Sequence, residues 1–301
     1  MTKPVPRSVQ EYLDQLRAEL AGADPALIQD ALYDAEEYLR GELHEHPEKT
    51  EEQVLAAIAT TYGAPEEVAE AYRATEVKVQ QALRTPRPKK SESLLGKFFG
   101  VFKDPRAYTA LFYMLLSLAT GIFYFVWTVT GMALSIGFMV LIVGIPFLLL
   151  YLGSIRLLSL VEGRLVEVLL GVRMPRRPVH PGDVDSRTLK QRIKEMFTDP
   201  RTWSTILYVF LKLPLGVIYF SIAVALLSAS LGMISAPIQD LFPHMGLLWI
   251  QYDDQPAYVM PWILTPLVSA LGVVLLTCLM HIARGVAYFH GHLAKSLLVK
   301  A

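Results

Sequence analysis

A five-residue pattern occurs twice in this chain, and each time it opens a long apolar segment. Phe102-Lys-Asp-Pro-Arg106 returns later as Phe197-Thr-Asp-Pro-Arg201, and at the same offset Tyr113 matches Tyr208. Internal self-similarity defines the structural unit of a chain before any single element is considered. The sequence therefore predicts a protein that contains two copies of one unit.

A second block of matches lies at a larger offset and pairs Arg156 with Arg284 and Gly163 with Gly291. Because the second offset exceeds the first, the second copy must contain an insertion between its two blocks. We therefore predict two repeats, residues 99–175 and 194–301, with an extracytoplasmic insertion at about residues 232–260 in the second.

The apolar segments are long enough to cross a membrane. Hydrophobic residues make up 53% of the 301-residue chain, and a bilayer core of ~30 Å takes roughly 20 apolar residues in a helix. Four segments meet this length, at about 107–128, 132–155, 203–231 and 260–283. These spans predict an all-α integral membrane protein in which two repeated hairpins supply four transmembrane helices.

The front of the chain, residues 1–84, differs from the rest in charge and pattern. It carries 17 Asp and Glu against 8 Lys and Arg, so this part has a net charge of −9 and the remainder +9. Helix N-caps at Ser8, Asp24 and Thr50, and a proline start at Pro65, predict four short amphipathic helices. We predict a soluble acidic domain (1–84), a basic juxtamembrane linker (85–98) and a membrane domain (99–301).

Basic residues indicate the orientation, because cytoplasmic loops of membrane proteins are rich in Lys and Arg. None lies between Lys212 and Arg284, whereas seven crowd the connection from Arg173 to Lys194. The N-terminus has no apolar signal-peptide region, and Cys278 has no partner for an intramolecular disulfide. We expect a multi-pass protein of the bacterial cytoplasmic membrane with both termini in the cytoplasm.

Two family resemblances cover nearly the whole chain. The front domain resembles the HAAS domain, an alpha-helical signalling domain, through Asp34-Ala-Glu36-Glu37 and Tyr62-Gly-Ala-Pro65-Glu-Glu-Val-Ala69-Glu-Ala-Tyr72. Residues 99–301 resemble the bacterial Putative sensor domain, through the paired Asp-Pro-Arg openings and Arg284-Gly-Val-Ala-Tyr-Phe-His290-Gly-His292. The second family occurs elsewhere fused to histidine kinases, but no kinase pattern follows here.

The resemblances imply a signalling role and a set of partners. We expect residues 1–84 to contact a protein partner, either a PadR-like transcription regulator of the kind encoded beside HAAS proteins or a transporter subunit. Membrane lipids are a second partner, and a homo-oligomer is a further candidate. The basic linker lacks interleaved aromatic residues, so attraction to anionic lipid explains it without direct binding of nucleic acid.

The repeated Asp-Pro-Arg openings have a structural interpretation. Aspartate caps the free amides of a helix, proline occupies a position that needs no amide, and arginine anchors at lipid head groups. The predicted anchors of the repeat are Asp104, Pro105, Arg106, Asp199, Pro200, Arg201, Arg156 and Arg284.

Lys212 and the inserted cap are the candidates for an input site. An intramembrane lysine indicates function by default, although the stem of Lys212 is long enough to extend to the interface instead. The cap combines acidic and aromatic residues and is either an input surface or a structural lid. Its candidates are Trp249, Tyr252, Asp253 and Asp254.

No pattern indicates catalysis or a metal. His281, His290 and His292 are spaced so that one helix cannot bring all three to one point, and P-loop, nucleophile-elbow, zinc-protease and kinase motifs do not occur. We expect no enzyme activity, no cofactor and no metal site. The predicted function is a non-enzymatic membrane regulator that couples an input to the front domain; the alternative is a transporter or an accessory subunit of one.

Overall fold

The computed structural model describes residues 6–83, 93–139, 141, 144–178, 198–241 and 263–299. Four helices form the front domain: α1 (Val9–Glu19), α2 (Pro25–Glu45), α3 (Glu51–Thr61) and α4 (Pro65–Leu83). The described part of the chain is helical throughout its regular structure and contains no strand. The predicted fold class, four apolar helices with a small helical domain, is confirmed.

The caps that predicted the front helices are present, with one difference. Thr50 and Gln53 form a full capping box, because each side chain accepts from the other residue's backbone amide. Ser8 accepts from the amide of Glu11, but the Glu11 carboxylate accepts from the amide of Arg7 rather than that of Ser8. Ser8 therefore caps the helix as predicted, and the helix begins where expected, but Ser8 and Glu11 do not form a full capping box.

The core of the front domain consists of side chains from all four helices. Leu16, Leu20 and Leu39 are fully buried there. Tyr12 is also buried, and its hydroxyl donates to the carbonyl oxygen of Gly63 over 2.8 Å. Gly63 has φ +108°, a backbone conformation that favours glycine, so the break between α3 and α4 supplies this acceptor.

The remaining helices include four that are long and apolar enough to cross a membrane. After α5 (Leu94–Phe99) and a 3₁₀ turn come α6 (Pro105–Phe138), α7 (Gly144–Leu165) with a π-helical turn (Val166–Leu170), α8 (Pro200–Ile234), α9 (Ala236–Leu241) and α10 (Thr265–Leu298). The candidate spans are α6, α7 with its π-helical turn, α8 and α10.

The first turn lies later in the chain than the apolar pattern suggested. The predicted spans ended and restarted around residues 128–132, but α6 continues to Phe138 and α7 begins at Gly144. An added Cβ at Gly144 would collide with the backbone of Phe138, so the turn requires glycine at this point. Hydrophobicity does not change at this turn, because both helix ends are apolar.

The chain divides into two compact units. One contains Met1–Arg84, Trp127–Val209 and Gly291–Ala301, and the other contains Thr85–Val126 and Phe210–His290. Both hairpins contribute helices to each unit. The division into a front domain, a linker and a membrane domain along the sequence stays a prediction.

Candidate functional site

The segment that leaves the second span, residues 171–178, is here called the strap. Gly171 has φ +71° and ends the π-helical turn in the left-handed conformation that favours glycine. An added Cβ at Gly291 would collide with Val172, and Met174 lies beside Gly163. The strap therefore packs against two glycines that the sequence matched across the repeats.

Arg173 of the strap is buried among carboxylates of the front domain. Its Nη2 donates to Asp30 Oδ2 over 2.8 Å, and its Nε donates to Glu76 Oε2 over 3.2 Å. The side chains of all three residues are 7% to 8% exposed. A guanidinium group suits this position because its fixed fork of donors can satisfy two carboxylates at once.

The neighbouring carboxylates keep the Arg173 guanidinium charged. Burial on its own lowers the pKa of the Arg173 guanidinium, but hydrogen bonds and charge from Asp30 and Glu76 outweigh it and raise the pKa above its ordinary value. Arg173 thus stays charged throughout the physiological pH range. Proton loss from Arg173 is excluded as a switch for this contact.

Asp30 also binds the backbone of the strap. Its Oδ1 accepts from the amides of Arg176 and Arg177 over 2.7 and 2.8 Å. Gln29, its neighbour on α2, donates through Nε2 to the carbonyl oxygen of Arg177 over 2.6 Å. Main-chain groups of the strap are therefore paired with side chains of the front domain.

Glu167 in the π-helical turn supports the strap from the membrane side. Its side chain is 3% exposed and lies 2.7 Å from Arg164, 3.6 Å from Arg173 and 3.3 Å from Arg176. π-helical turns occur frequently at functional sites. A carboxylate that meets three arginines here ties the end of the span to the strap.

The last helix makes a second ionic contact with the front domain. Lys295 Nζ lies 2.6 Å from Asp24 Oδ2, and both side chains are partly exposed. Asp24 also caps α2 by accepting from the amide of Ala26. The front domain therefore binds both the strap and α10.

The predicted repeat anchors form the same contacts in each repeat. Asp104 and Asp199 each accept from the amide of the arginine two residues later, over 3.0 Å. Asp104 also pairs with Arg284 at 3.4 Å, and Asp199 pairs with Arg156 at 3.6 Å. Pro105 and Pro200 are the first residues of their helices. The aspartates therefore cap their helices and pair with the matching arginine of the other hairpin.

Lys212 is buried rather than directed towards an end of its helix. Only 1% of the residue is exposed, its Nζ donates to the hydroxyl of Tyr113 over 2.5 Å, and it lies 4.3 Å from the centre of that ring. These contacts do not fit the interpretation that its stem extends to the interface. The structure brings Lys212 together with a tyrosine of the repeated pattern.

His290 belongs to the same cluster. Its ring lies 5.1 Å from that of Tyr113, and its Nδ1 lies 3.4 Å from the hydroxyl of Tyr219. His281 instead lies 3.0 Å from the carbonyl oxygen of Phe98. Within the part of the chain that the structure describes, no three His, Cys, Asp or Glu side chains are grouped to hold a metal.

The equivalent tyrosine of the other repeat has a different neighbour. Tyr208 is buried and donates to Glu162 Oε1 over 3.0 Å. Glu162 and His290 occupy matching positions, at the same offset that pairs Arg156 with Arg284. The repeat therefore places a tyrosine beside position 162 or 290 in both units, with a different partner in each.

The four cap candidates, Trp249, Tyr252, Asp253 and Asp254, lie outside the described residues. The sequence patterns did not predict the contact of the strap with Asp30 and Glu76, which is here called the strap cluster. Its signal was the opposite net charge of residues 1–84 and of the remainder. Arg173, Arg176 and Arg177 had been interpreted only as indicators of orientation.

Two groups of polar side chains hold parts of the described chain together. The strap cluster consists of ion pairs, and the buried cluster consists of a lysine, tyrosines and a histidine. Burial makes the loss of one partner costly, because the opposite charge is then left uncompensated.

Two family models match the sequence. The model described as Putative sensor matches residues 113–298, and the model described as HAAS matches residues 11–71. No curated protein and no solved structure matches this chain. Both matches agree with the resemblances found from the sequence motifs, and they indicate a membrane protein with a signalling or regulatory role.

Proposed function

Because this chain belongs to the Putative sensor family, we propose that it is a membrane signalling protein with no catalysis of its own. An input at the membrane or at its outer face changes how the strap holds the front domain. The front domain then presents or withholds a surface for a protein partner. The partner classes that fit are a PadR-like transcription regulator and a transporter subunit.

The single observation that carries this proposal is the burial of Arg173 between Asp30 and Glu76. A flexible tether would not need a buried ion pair, and removal of one partner of such a pair costs about 3–5 kcal/mol. Separating one partner leaves the other charge buried and unpaired, so we expect the contact to form or break as a whole. That property is required of a switch between two states.

Two places are proposed to receive the input. Lys212 is one, because a buried lysine beside Tyr113 and close to the helix-breaking residue Pro214 can respond to a change in the spans. The inserted cap is the other, through Trp249, Tyr252, Asp253 and Asp254. We place the protein in the bacterial cytoplasmic membrane with both termini in the cytoplasm.

Hydrogen exchange on the full chain in lipid nanodiscs tests the coupling. Lys212→Met removes the ammonium that binds Tyr113, and we expect faster or slower amide exchange in the strap and α2. In the background of Arg173→Gln the same change should have no further effect on α2. Non-additivity of this kind measures the coupling directly.

Leu207→Ala is the matched control, because Leu207 lies on the same helix and is 51% exposed. It should leave exchange in the front domain unchanged. Unchanged exchange in the strap and α2 after Lys212→Met, with altered exchange around Tyr113, would contradict coupling from this position.

The orientation is tested by labelling in intact cells. In a Cys278→Ser background, single cysteines at Ser91 and Asp183 should be protected from an impermeant thiol reagent, whereas one at Asp253 should react. Labelling at Ser91 from outside would reverse the proposed orientation.

A further inference from the structure

We propose that the acidic surface of the front domain is a binding groove for a non-helical, arginine-containing segment of a partner protein, and that the strap occupies this groove in cis. The groove consists of Gln29, Asp30, Tyr33 and Asp34 on α2 and Glu76 on α4. This inference rests on the proposed signalling function and names the chemistry that the front domain recognises.

The groove recognises the backbone of its occupant. Asp30 accepts from two successive amides of the strap, and Gln29 donates to the carbonyl oxygen of the second of those residues. The strap has no helical structure from residue 171 to residue 175. A segment outside a helix leaves its main-chain groups available to a binding surface, and main-chain hydrogen bonds of this kind give affinity in one common mode of peptide recognition.

Two arginine subsites add side-chain specificity. The inner subsite buries Arg173 between Asp30 and Glu76. The outer subsite pairs Arg177 with Asp34 at 2.9 Å and places its guanidinium 5.6 Å from the centre of the Tyr33 ring. Because each subsite faces a carboxylate, the occupant needs two arginines separated by three residues.

The strap has an advantage over any free segment because it belongs to the same chain. A short connection gives a tethered segment an effective concentration on the order of millimolar. A partner segment therefore binds only when the strap is loosened, which links recognition to the state of the spans. Release of the strap is the event that exposes both arginine subsites.

Peptide binding to the full chain tests this groove. The probe is a fluorescein-labelled peptide with the sequence of residues 171–178, and the protein is held in nanodiscs of phosphatidylcholine because anionic lipid would bind a basic peptide. Fluorescence anisotropy should show at least about tenfold tighter binding to Arg173→Ala than to the wild type, since tethering favours the strap by more than this factor. Adding Asp30→Asn to Arg173→Ala should abolish the gain.

A milder variant covers the case in which Arg173→Ala unfolds. Arg177 is half exposed, so Arg177→Ala leaves Arg173 paired with Asp30 and Glu76 and loosens only the outer end of the strap. We expect a smaller gain in peptide affinity, about two- to fivefold, within the range for one exposed ion pair. A peptide with alanine at the position of Arg173 should not bind either variant.

Three results would overturn the groove. Neither Arg173→Ala nor Arg177→Ala gains affinity while α2 still exchanges as a folded helix; or the Asp30→Asn combination binds the peptide equally well; or the peptide with alanine at the position of Arg173 binds Arg173→Ala as well as the original peptide does. Failure of the Lys212→Met experiment alone would remove coupling to the spans and leave the groove intact. The two ideas therefore fail separately.

Discussion

The two hairpins share one kind of ion pair and differ in the residues at three pairs of matching positions. In both, the aspartate that caps the first helix pairs with an arginine from the second helix of the other hairpin: Asp104 with Arg284, and Asp199 with Arg156. Matching positions with different residues are Ser117 and Lys212, Glu162 and His290, and Glu167 and Lys295.

The difference shows where a repeated scaffold has been specialised. In each shared pair the aspartate lies at a helix start and the arginine lies within a helix of the other hairpin. The differing positions face buried polar neighbours or the front domain: Glu167 holds the strap, Lys295 holds Asp24, and Lys212 meets Tyr113. Exchanging the residues at matching positions of the two repeats therefore tests which positions serve only the shared structure and which serve a function of one repeat.

Glu167→Lys gives the first hairpin the residue of the second and should have the largest effect. It places a cation beside Arg164, Arg173 and Arg176 in a buried position, where loss of a paired charge costs about 3–5 kcal/mol. We expect release of the strap, seen as protease cleavage within residues 171–178, and a lower Tm in detergent. Lys295→Glu should cost much less, because Lys295 is partly exposed. Equal effects would mean that both positions belong to the scaffold.

Removal of each repeated tyrosine hydroxyl compares the two polar neighbours. Tyr208→Phe takes a donor from the buried carboxyl of Glu162, at a cost of about 1–2 kcal/mol. Tyr113→Phe removes the oxygen that binds Lys212 but keeps the ring beside its ammonium, so we expect about 1 kcal/mol. Thermal unfolding in the same detergent measures both. If Tyr113→Phe lowered the free energy of unfolding by more than Tyr208→Phe does, the hydroxyl of Tyr113 would contribute more to binding Lys212 than its ring.

The shared aspartates should behave alike. Asp104→Ala and Asp199→Ala each remove a cap, with an expected loss of about 1 kcal/mol, whereas Asn at either position keeps an acceptor and should be milder. Equal shifts in Tm at both sites would support a purely structural role. If Asp199→Asn abolished partner binding at normal stability, the capping interpretation would be wrong.

Alkaline pH should produce the smallest change and should act on the front domain first. Burial, with the charge of Asp34 and the neighbouring Tyr38, raises the pKa of Tyr62 to about 12. Burial also raises the pKa of Tyr12, with Tyr62 and Glu67 as further causes. The folded state therefore binds protons that the unfolded state loses above pH ~10, so stability is full below that pH and falls as pH rises towards 12.

Tyr62→Phe should flatten this dependence, measured by the Tm of the front domain between pH 9 and pH 11. Arg173 keeps its charge over this range, because its raised pKa lies above it. A pH dependence that survives both Tyr62→Phe and Tyr12→Phe would show that these two tyrosines are not the titrating groups.

Elements with local signals could be predicted from the sequence. Caps at Ser8, Asp24 and Thr50 mark the starts of their helices because each satisfies amides within a few residues. The paired Asp-Pro-Arg openings likewise mark the starts of α6 and α8. The turn after Phe138 could not be located, because both of its flanks are equally apolar and no charge marks it.

Long-range pairs could not be predicted from local patterns. Asp30 and Arg173 are 143 residues apart, and nothing beside either residue identifies the other. Opposite net charges of the two parts indicated attraction but not which residues meet. The burial of Lys212 could not be predicted either, because its long side chain can either extend to the interface or be buried.

Gly121 of α6 and Gly216 of α8 match at the same offset as Tyr113 and Tyr208, and they limit how these two helices can move. An added Cβ at Gly121 would lie 2.8 Å from the carbonyl oxygen of Lys212, and one at Gly216 would collide with the backbone of Ser117. Small residues at such a crossing allow the two backbones to touch. Sliding would drive the neighbouring side chains into this contact, whereas a change of crossing angle leaves it in place. A change of crossing angle would therefore pivot α6 and α8 about the backbone of Lys212 and would change which groups its side chain meets.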